Sequence, residues 1–536
     1  MTITTAKMPI SGPALRLLPL ALAAMLMSAE CHAQWRVTPR IDLRETYSDN
    51  VGLQNSADAR SSFVSEADPG ISITKVGPRL KVSADAGWRL YSYSNNDAPN
   101  LRNSERHYSG AMQAMVVDQL LFVDANASGS RQAVSAFGPV SNNTFSNANR
   151  TDISTWRVSP YLRHRFGSTA DMTLRYMRDS VDSGVGGYGS SRASTRSADL
   201  SSGTAFDTLG WNLSYYHQDL SERLDNVGTV PGSVPGTVPT LANDSMSENS
   251  SAGLRWRLIR RLALTASVGY DKYEYPTLGE ATSGRSWLGG FIWTPSTRTS
   301  VQASFGRRYF GKTGSLVSSY RTQRSIWNLN YSDAVTTTRS QFVLPAAIDT
   351  ASMLDSLFAA SIPDAVQRQQ AVQAYIAAAG LPPTLANSIN YLSNRYIRIQ
   401  RLQGAAIFRG PRSNLTFSVF NEKRLALSSQ ESDSALLLGQ LASLNDDTSQ
   451  RGATANLDYR LSPRSSAYGA LSLSRVHSLS ADFSSNNSEM RLGLNHRFAQ
   501  RMQGSVELRH TRGRQKLVNS DTYRENALVA TLSVVY

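Results

Sequence analysis

The chain ends in NALVATLSVVY (residues 526–536), a run in which apolar side chains recur at every second position. Leu528, Ala530, Leu532, Val534 and Tyr536 share one parity, so an extended strand would project all of them from one face. The pattern predicts a strand that ends on an aromatic residue inside a sheet. A soluble sheet could end in the same way, so the interpretation depends on whether the rest of the chain repeats the pattern.

An apolar run near the amino terminus, residues 17–27, is too short to cross a bilayer as a helix, which needs about 20 residues. Two basic residues precede the run and small residues follow it. These features predict a signal peptide over residues 1–33, cleaved between Ala33 and Gln34. The alternative is a lipoprotein cleaved at Cys31, but an acidic residue stands at the preceding position, where such a site needs Gly or Ala.

The alternation runs along almost the whole chain from Trp35 onward. From Leu80 to Leu90 the even positions are apolar and the odd positions are mostly polar. Many such runs are joined by tight turns, as 156–166 is joined to 170–176, and 490–498 to 502–508. A succession of this kind predicts β-hairpins, each following the last.

Connection lengths alternate as well. Tight turns such as 77–78 and 462–464 are followed by long polar loops such as 132–152 and 181–193. This asymmetry is typical of transmembrane β-barrels, whereas a soluble sandwich or propeller would not sort its loops in this way. The sequence therefore predicts an all-β fold over residues 34–536, an antiparallel up-and-down transmembrane β-barrel of about 18–22 strands in the outer membrane of a Gram-negative bacterium. Residues 526–536 would close it against the strand that begins at Trp35.

Most tryptophans support a membrane barrel, because they share the apolar parity and many lie near a turn or a strand end. Aromatic girdles at the two membrane interfaces have this distribution. The alternative is that these tryptophans fill the core of a soluble β-sandwich. The residues concerned are Trp35, Trp88, Trp156, Trp256, Trp287, Trp293 and Trp327.

Two stretches interrupt the alternation. Residues 221–247 contain a repeated Val-Pro-Gly unit, whose Pro and Gly exclude helix and strand pairing, and predict a long external loop. Residues 345–385 have apolar side chains at helical spacing, with Asp349 as a first cap and Pro382-Pro383 as a final stop. They predict a small helical hairpin insertion at the extracellular end. This hairpin either gates the lumen, docks a partner, or is a capping insertion with neither role.

If the apolar parity faces lipid, the other parity faces the lumen, where arginines outnumber carboxylates. Guanidinium groups suit carboxylate and phosphate, so the lumen is predicted to favour anionic chains. The alternative is a ladder of Arg–carboxylate pairs that braces a wide barrel. The candidate contacts are Arg89, Arg157, Arg163, Arg165, Arg175, Arg255, Arg257 and Arg491, with Tyr161 and Tyr216 as surfaces for sugar rings.

Composition and motifs exclude several other functions. The formal net charge is +14 and the pI is about 9.8, but an exported chain rarely meets nucleic acid. The single cysteine lies in the leader, so the mature chain has no thiolate site. The histidines form no H-E-x-x-H motif, and the G-x-G-x-x-G at 184–189 lacks a helix after it. We therefore predict no enzyme activity, metal or cofactor.

The closing run resembles the C-terminal signature of outer-membrane barrels, which implies recognition by the barrel-assembly machinery through Leu528, Leu532, Val534 and Tyr536. The run Glu45-Thr46-Tyr47-Ser48-Asp49-Asn50-Val51 resembles the opening motif of the outer-membrane barrels associated with PEP-CTERM/exosortase and exopolysaccharide gene clusters. Ser159-Pro160-Tyr161, Arg308-Tyr309-Phe310-Gly311 and 327–331 are similar to that family too. The resemblance implies a role in exopolysaccharide export, as a porin of that pathway.

Three hypotheses follow. The first is a porin-like conduit for an anionic exopolysaccharide, in contact with outer-membrane lipid and periplasmic export components. The second is a non-conducting barrel that docks secretion partners through residues 345–385. The third is a barrel hydrolase, which requires a lumenal Ser/His or carboxylate cluster.

Overall fold

The computed structural model describes residues 35–536, except 100, 134, 184–189, 224–241, 276–281, 338, 341–395, 429–446 and 517–519. The described residues form one closed antiparallel sheet. Its strands are β1 (Trp35–Ser48), β2 (Ser62–Val76), β3 (Leu80–Tyr93), β4 (Ser104–Val117), β5 (Leu121–Ala133), β6 (Arg150–Phe166), β7 (Ala170–Ser183), β8 (Ser190–Ser202), β9 (Leu209–Arg223), β10 (Ala242–Ile259), β11 (Leu262–Glu274), β12 (Ser283–Ser296), β13 (Thr299–Arg308), β14 (Gly311–Arg321), β15 (Ser325–Thr337), β16 (Tyr396–Arg409), β17 (Ser413–Ala426), β18 (Thr448–Arg460), β19 (Ser465–Ser478), β20 (Ser484–Ala499), β21 (Met502–Lys516) and β22 (Ser520–Val535).

Each strand pairs with its sequence neighbours, and β1 also pairs with β22, so the sheet closes on itself. The 22-stranded barrel confirms the predicted fold class and lies at the upper end of the predicted range. Closure is what a membrane requires, since an open sheet edge would leave backbone groups without hydrogen-bond partners in hydrocarbon.

The two faces of the wall differ in polarity in the predicted sense. On β21, Leu508 is 59% exposed on the outer face, whereas its inward neighbour Thr511 is fully buried. On β22, Leu528 is 47% exposed and Glu525 is fully buried. Most tryptophans of the predicted girdles are exposed on the outer wall, namely Trp35, Trp156, Trp256, Trp287, Trp293 and Trp327. The barrel is therefore of the outer-membrane type, with an apolar belt outside and a polar lumen.

The two ends of the barrel carry different connections. The end with Trp35 and Tyr536 has short turns, such as 77–79, 260–261 and 500–501. We call this the terminal end and the opposite one the loop end. In barrels of this type short turns face the periplasm and long loops face outward. The connections of the loop end are not all long, because Tyr309 and Phe310 alone join β13 to β14, and three residues separate β21 from β22.

Strands extend further into the predicted loops than the sequence indicates. β9 continues to Arg223 and β10 begins at Ala242, so the external loop predicted over 221–247 is too wide at both ends. The sequence of these strand ends is mostly polar at both parities, and apolar alternation cannot reveal them. The Val-Pro-Gly repeat and the helical hairpin predicted at 345–385 lie outside the described residues. Within the described residues, no helix is long and apolar enough to span a membrane.

The closing seam runs from the pair Arg40↔Val535 to the pair Ser48↔Ala527. The Tyr536 backbone N–H donates to the Pro39 carbonyl at 2.9 Å. The outer side of the seam carries Leu528, Leu532 and Tyr536, which are all exposed. The predicted pairing of the last strand with the first is thus confirmed, and recognition of that strand by assembly machinery stays a prediction.

The Glu45–Val51 motif clamps the loop end of this seam. Asp49 accepts hydrogen bonds from the backbone and side-chain nitrogens of Asn526 at 2.7 and 2.6 Å. The Asn50 amide donates to the Arg524 carbonyl at 3.0 Å, and the Ser48 hydroxyl donates to Glu525 at 2.8 Å. The polar residues of the motif therefore hold β1 and β22 together beyond the last ladder pair.

Replacing the terminal aromatic should impair assembly more than folded-state stability. At an interface a charge costs only about 0–1 kcal/mol, so Tyr536→Asp leaves the finished barrel nearly as stable. We expect several-fold less folded barrel in the outer membrane, measured as the heat-modifiable band on a semi-native gel. Tyr536→Phe is the control and should insert normally. Wild-type levels of Tyr536→Asp would contradict an assembly role for this residue.

Candidate functional site

A vestibule of about 1620 Å³ lies inside β1–β3 and β18–β22, in the terminal half of the barrel. Alternation along these strands directs its polar side chains inward. Arginines outnumber carboxylates on its walls. The arginines are Arg36, Arg40, Arg44, Arg89, Arg460, Arg464, Arg491, Arg497, Arg501 and Arg509, and the carboxylates are Asp42, Glu66, Asp68, Asp85, Asp458 and Glu507.

The deeper arginines are held by ion pairs. Arg89 lies 3.0 Å from Asp68 and 3.6 Å from Glu66, and Arg44 lies 3.3 Å from Glu66. Arg40 forms a bidentate pair with Asp85. Both carboxylates around Arg89 are buried, so each charge has a compensating partner, as burial requires.

The arginines nearest the terminal end are different. Arg36, Arg464, Arg497 and Arg501 are exposed, and no described carboxylate lies within ion-pair distance of their guanidinium groups. Two of them, Arg464 and Arg501, lie in the turns that precede β19 and β21. They lie close together on one side of the terminal end, on or next to β1 and β19–β21, where a cluster of positive charge attracts anions.

The vestibule is roofed by residues 135–149, which connect β5 to β6 and which we call the inner loop. Instead of extending outward, this segment folds into the barrel. Its Thr144 hydroxyl donates to Glu66 on β2 at 2.9 Å, and its Asn142 backbone N–H donates to Glu489 on β20 at 3.0 Å. The inner loop thus reaches from β5 to strands on the far side of the seam.

Apolar packing fixes the inner loop at three places. Phe145 is 2% exposed and packs with Val51, Val64, Tyr91 and Ala98. Near the start of the inner loop, Phe137 packs with Ala136, Val476 and Phe483. Near its end, Ala148 packs with Leu53 and Tyr523. The long polar connection predicted over 132–152 is present between β5 and β6, but its inward fold was not predicted. The apolar side chains at 136, 137 and 145 are the sequence signal that identifies an inward fold.

Arginines at the roots of the inner loop satisfy its carbonyl groups. Arg131 donates to the Thr144 and Ser146 carbonyls at 2.8 and 2.7 Å, and Arg150 donates to the Asn143 carbonyl at 2.7 Å. These bonds supply partners for backbone groups that burial removes from water.

An ion pair next to the inner loop ties the β3–β4 connection to β6. Arg102, which precedes β4, forms a bidentate pair with Asp152 on β6 at 2.6 and 2.5 Å. The hydrogen bond to Asp152 raises the pKa of the Arg102 guanidinium, because it favours the charged form.

Two other contacts narrow the loop end. Arg339, which follows β15, is buried and donates to the Ser191 hydroxyl on β8 at 2.6 Å, and it also pairs with Asp179 on β7. Tyr275 and Tyr396 stack with ring centroids 4.5 Å apart, joining β11 to β16. Among the described residues, the barrel is therefore constricted at the loop end and open at the terminal end.

The predicted contacts are not brought together in one site. Only Arg89 and Arg491 line the vestibule. Arg157, Arg163, Arg165 and Arg175 with Tyr161 lie on β6 and β7, and Arg255, Arg257 and Tyr216 lie on β9 and β10.

Several of these residues have structural partners. Arg175 lies 3.1 Å from Asp124 and 4.0 Å from the Tyr161 ring centroid, and Arg165 lies 2.8 Å from Asp171. Arg257 pairs with Asp207. These contacts match the alternative of a bracing ladder. Arg157, Arg163 and Arg255 have no ion pair within the described residues, and their role as polysaccharide contacts stays a prediction.

No group of three or more His, Cys, Asp or Glu side chains among the described residues could hold a metal ion. The absence of enzyme activity stays a prediction as well.

No family model matches the chain, and no curated protein matches it. Among solved structures, the barrel is similar to the FrpB iron transporter from Neisseria meningitidis (F3-3 variant), with 10% identity, a TM-score of 0.49, and coverage of 96% of this chain and 83% of that one. It is also similar to a mutant of the ferric enterobactin receptor PfeA from Pseudomonas aeruginosa, with 10% identity, a TM-score of 0.47, and coverage of 94% and 80%. Structural similarity at this level does not indicate what this chain binds or transports.

Truncating the Phe145 ring should release the inner loop without opening the barrel wall. Phe145→Ala removes a buried aromatic side chain, a change that costs about 3–5 kcal/mol in well-packed cores. We expect much faster amide hydrogen exchange at 135–149, and unchanged exchange in β1–β6. Phe305→Ala, on the exposed outer wall, is the matched control. Unchanged protection of 135–149 in Phe145→Ala would show that its packing does not hold the loop.

Proposed function

We propose that the protein is an outer-membrane conduit of an exopolysaccharide export system, which receives an anionic polysaccharide at the terminal-end vestibule. The observation that carries this proposal is the excess of arginines over carboxylates on the vestibule wall, with the unpaired ones at its entrance. The resemblance of the Glu45–Val51 motif to the barrels of PEP-CTERM/exosortase clusters supports the same substrate class.

The vestibule suits a polymer with carboxylate groups. Guanidinium groups bind carboxylates through two parallel hydrogen bonds, and an exposed cluster of them attracts a polyanion before contact. Tyr468 lines the vestibule and donates to Glu507 at 2.7 Å. Its ring is half-buried in this wall, beside the ion pairs that brace it.

Direction follows from the geometry of the two ends. The open terminal end faces the periplasm, where a polysaccharide made in the cell would arrive. The inner loop lies across the path beyond the vestibule. A conduit built in this way is closed at rest, and displacement of the inner loop opens it.

The second candidate is a non-conducting barrel that docks secretion partners. The observation that favours it is the extent of the inner loop's contacts, which involve β2, β3, β20 and β22. In this case the loop is a permanent closure and the vestibule binds a periplasmic partner instead of a polymer in transit.

The entrance arginines should determine ion selectivity. We expect purified barrel in planar bilayers to be anion-selective, and Arg464→Gln/Arg497→Gln/Arg501→Gln to lower the anion-to-cation permeability ratio by about threefold or more, because three positive charges leave the entrance. The control, Arg260→Gln/Arg261→Gln/Arg298→Gln, removes the same charge from turns at the same end outside the vestibule.

Conductance then separates the two candidates. A conduit gated by the inner loop gives larger or more frequent openings in Phe145→Ala than in the wild type. Cation selectivity of the wild type would contradict the conduit proposal. If neither protein conducts ions, the docking barrel is the correct candidate.

A further inference from the structure

A group of arginines lies on the outer surface of β18–β22, the strands whose inner surface lines part of the vestibule. Arg451 on β18, Arg475 on β19, Arg512 and Arg514 on β21, and Arg524 on β22 are all exposed and alternate with buried lumenal residues. We call them the outer arginine patch. They lie near the strand ends at the loop end, which faces away from the periplasm.

The strand register places these arginines side by side. Arg451 is directly opposite Arg475, and Arg512 is directly opposite Arg524. Asn486 on β20 pairs with Arg475 on one side and with Arg514 on the other. A row of Arg451, Arg475, Asn486 and Arg514 thus crosses four strands. Directly opposed like charges destabilise a sheet unless an anion lies between them.

The part of the chain that the structure describes places no carboxylate between these arginines. Within the described residues, none of the five guanidinium groups has an ion pair, and the outward positions of β18–β22 carry no carboxylate. The outer wall of β9–β11 differs, because His217 lies 3.0 Å from Asp219 and Lys272 lies 2.6 Å from Glu274. Lys516, above the patch, is already paired with Asp482 at 2.7 Å.

The patch lies immediately above the apolar belt. The next row toward the membrane is Ala453, Leu473, Ser488 and Arg512, and the row after it contains Leu471 and Met490. One row further on, Leu457, Leu492, Leu508 and Leu528 are all exposed and apolar. Each row is a step of about 7 Å along the strands. The arginines therefore lie at head-group level, with acyl-chain surface directly beneath them.

A groove of about 560 Å³ lies along these rows of arginine and apolar side chains. Its lining includes Arg451, Arg475, Asn486, Arg512 and Arg514, together with the apolar Leu473. It offers charged donors at its upper edge and an aliphatic side chain below them, which is the distribution of polarity in a phosphorylated lipid.

We propose that the outer arginine patch binds the phosphorylated head group of a glycolipid in the outer leaflet. Its phosphates lie between the opposed arginine pairs and accept their bidentate hydrogen bonds, while its acyl chains cover Leu473, Met490 and Leu508. The bound phosphates remove the repulsion between Arg451 and Arg475 and between Arg512 and Arg524. This site is independent of the lumen and of whatever the barrel conducts.

The test is binding of a diphosphorylated glycolipid to the full mature barrel in detergent, measured by native mass spectrometry. Arg451→Gln/Arg475→Gln/Arg514→Gln should bind at least about tenfold more weakly than the wild type, because several charge-assisted bonds are lost. The matched control is Arg178→Gln/Arg192→Gln/Arg196→Gln on the outer wall of β7 and β8, where Asp219 lies nearby on β9. It should bind as the wild type does.

Two further arms separate the lipid from simpler anions. The same glycolipid without phosphates should bind weakly to all proteins, and inorganic phosphate alone should not displace the intact lipid at equal concentration. Equal loss of binding in the patch and control variants, or no loss in the patch variant, would overturn the proposal. So would equal affinity for the dephosphorylated lipid, or full displacement by inorganic phosphate.

Discussion

The structure depends on the absence of water in the hydrocarbon layer, which obliges every backbone group at that depth to find a partner in the sheet. The β1–β22 seam meets this requirement for the last two edges, through the ladder from Arg40↔Val535 to Ser48↔Ala527. A slip of one residue at the seam would exchange the two faces of β22 and place the polar Thr531 and Ser533 in lipid. The clamp of Asp49 on Asn526 fixes the register where the ladder ends.

The fold could be predicted from the sequence because its main determinant is local. Whether a side chain faces lipid or lumen depends on its parity, and the last strand shows that parity within eleven residues. The seam between β22 and the strand that begins at Trp35 follows from closure alone. Strand ends could not be predicted, since beyond the membrane belt polar residues follow one another in the sequence and alternation disappears, as along 221–223 and 243–245.

The site was less predictable than the fold, because parity gives the face of a residue but not its position around the barrel. Arg89 and Arg491 line the vestibule, while Arg163 and Arg255 have the same parity and lie on other parts of the wall. Arg464 lies in a turn, where parity has no meaning. The inner loop was missed for another reason. Its partners, such as Glu489, lie far away in sequence, and a stretch rich in Ser and Asn looks solvated.

Charge in the vestibule changes character with depth. Around Arg89, burial makes an unpaired charge costly, so Glu66 and Asp68 neutralise it and the group braces the wall. At the entrance, water solvates Arg497 and Arg501, and no carboxylate is needed. The bracing ladder and the anion-attracting lumen were alternatives in the sequence. The structure has ion-paired arginines deep in the cavity and exposed, unpaired ones at its entrance, and attraction of anions by the latter stays a prediction.

The same dependence on depth explains why arginines also occur on the outer wall. A charge facing lipid costs about 2–4 kcal/mol at mid-membrane but only about 0–1 kcal/mol near an interface. Parity therefore excludes arginine from the outer face only within the belt, and Arg451 and Arg475 lie just beyond it. The vestibule lining carries ten arginines against six carboxylates, and the outer arginine patch places five more at the other end of the barrel. A single anionic partner cannot contact both groups of arginines at once, because the wall of the barrel separates the vestibule from the outer patch.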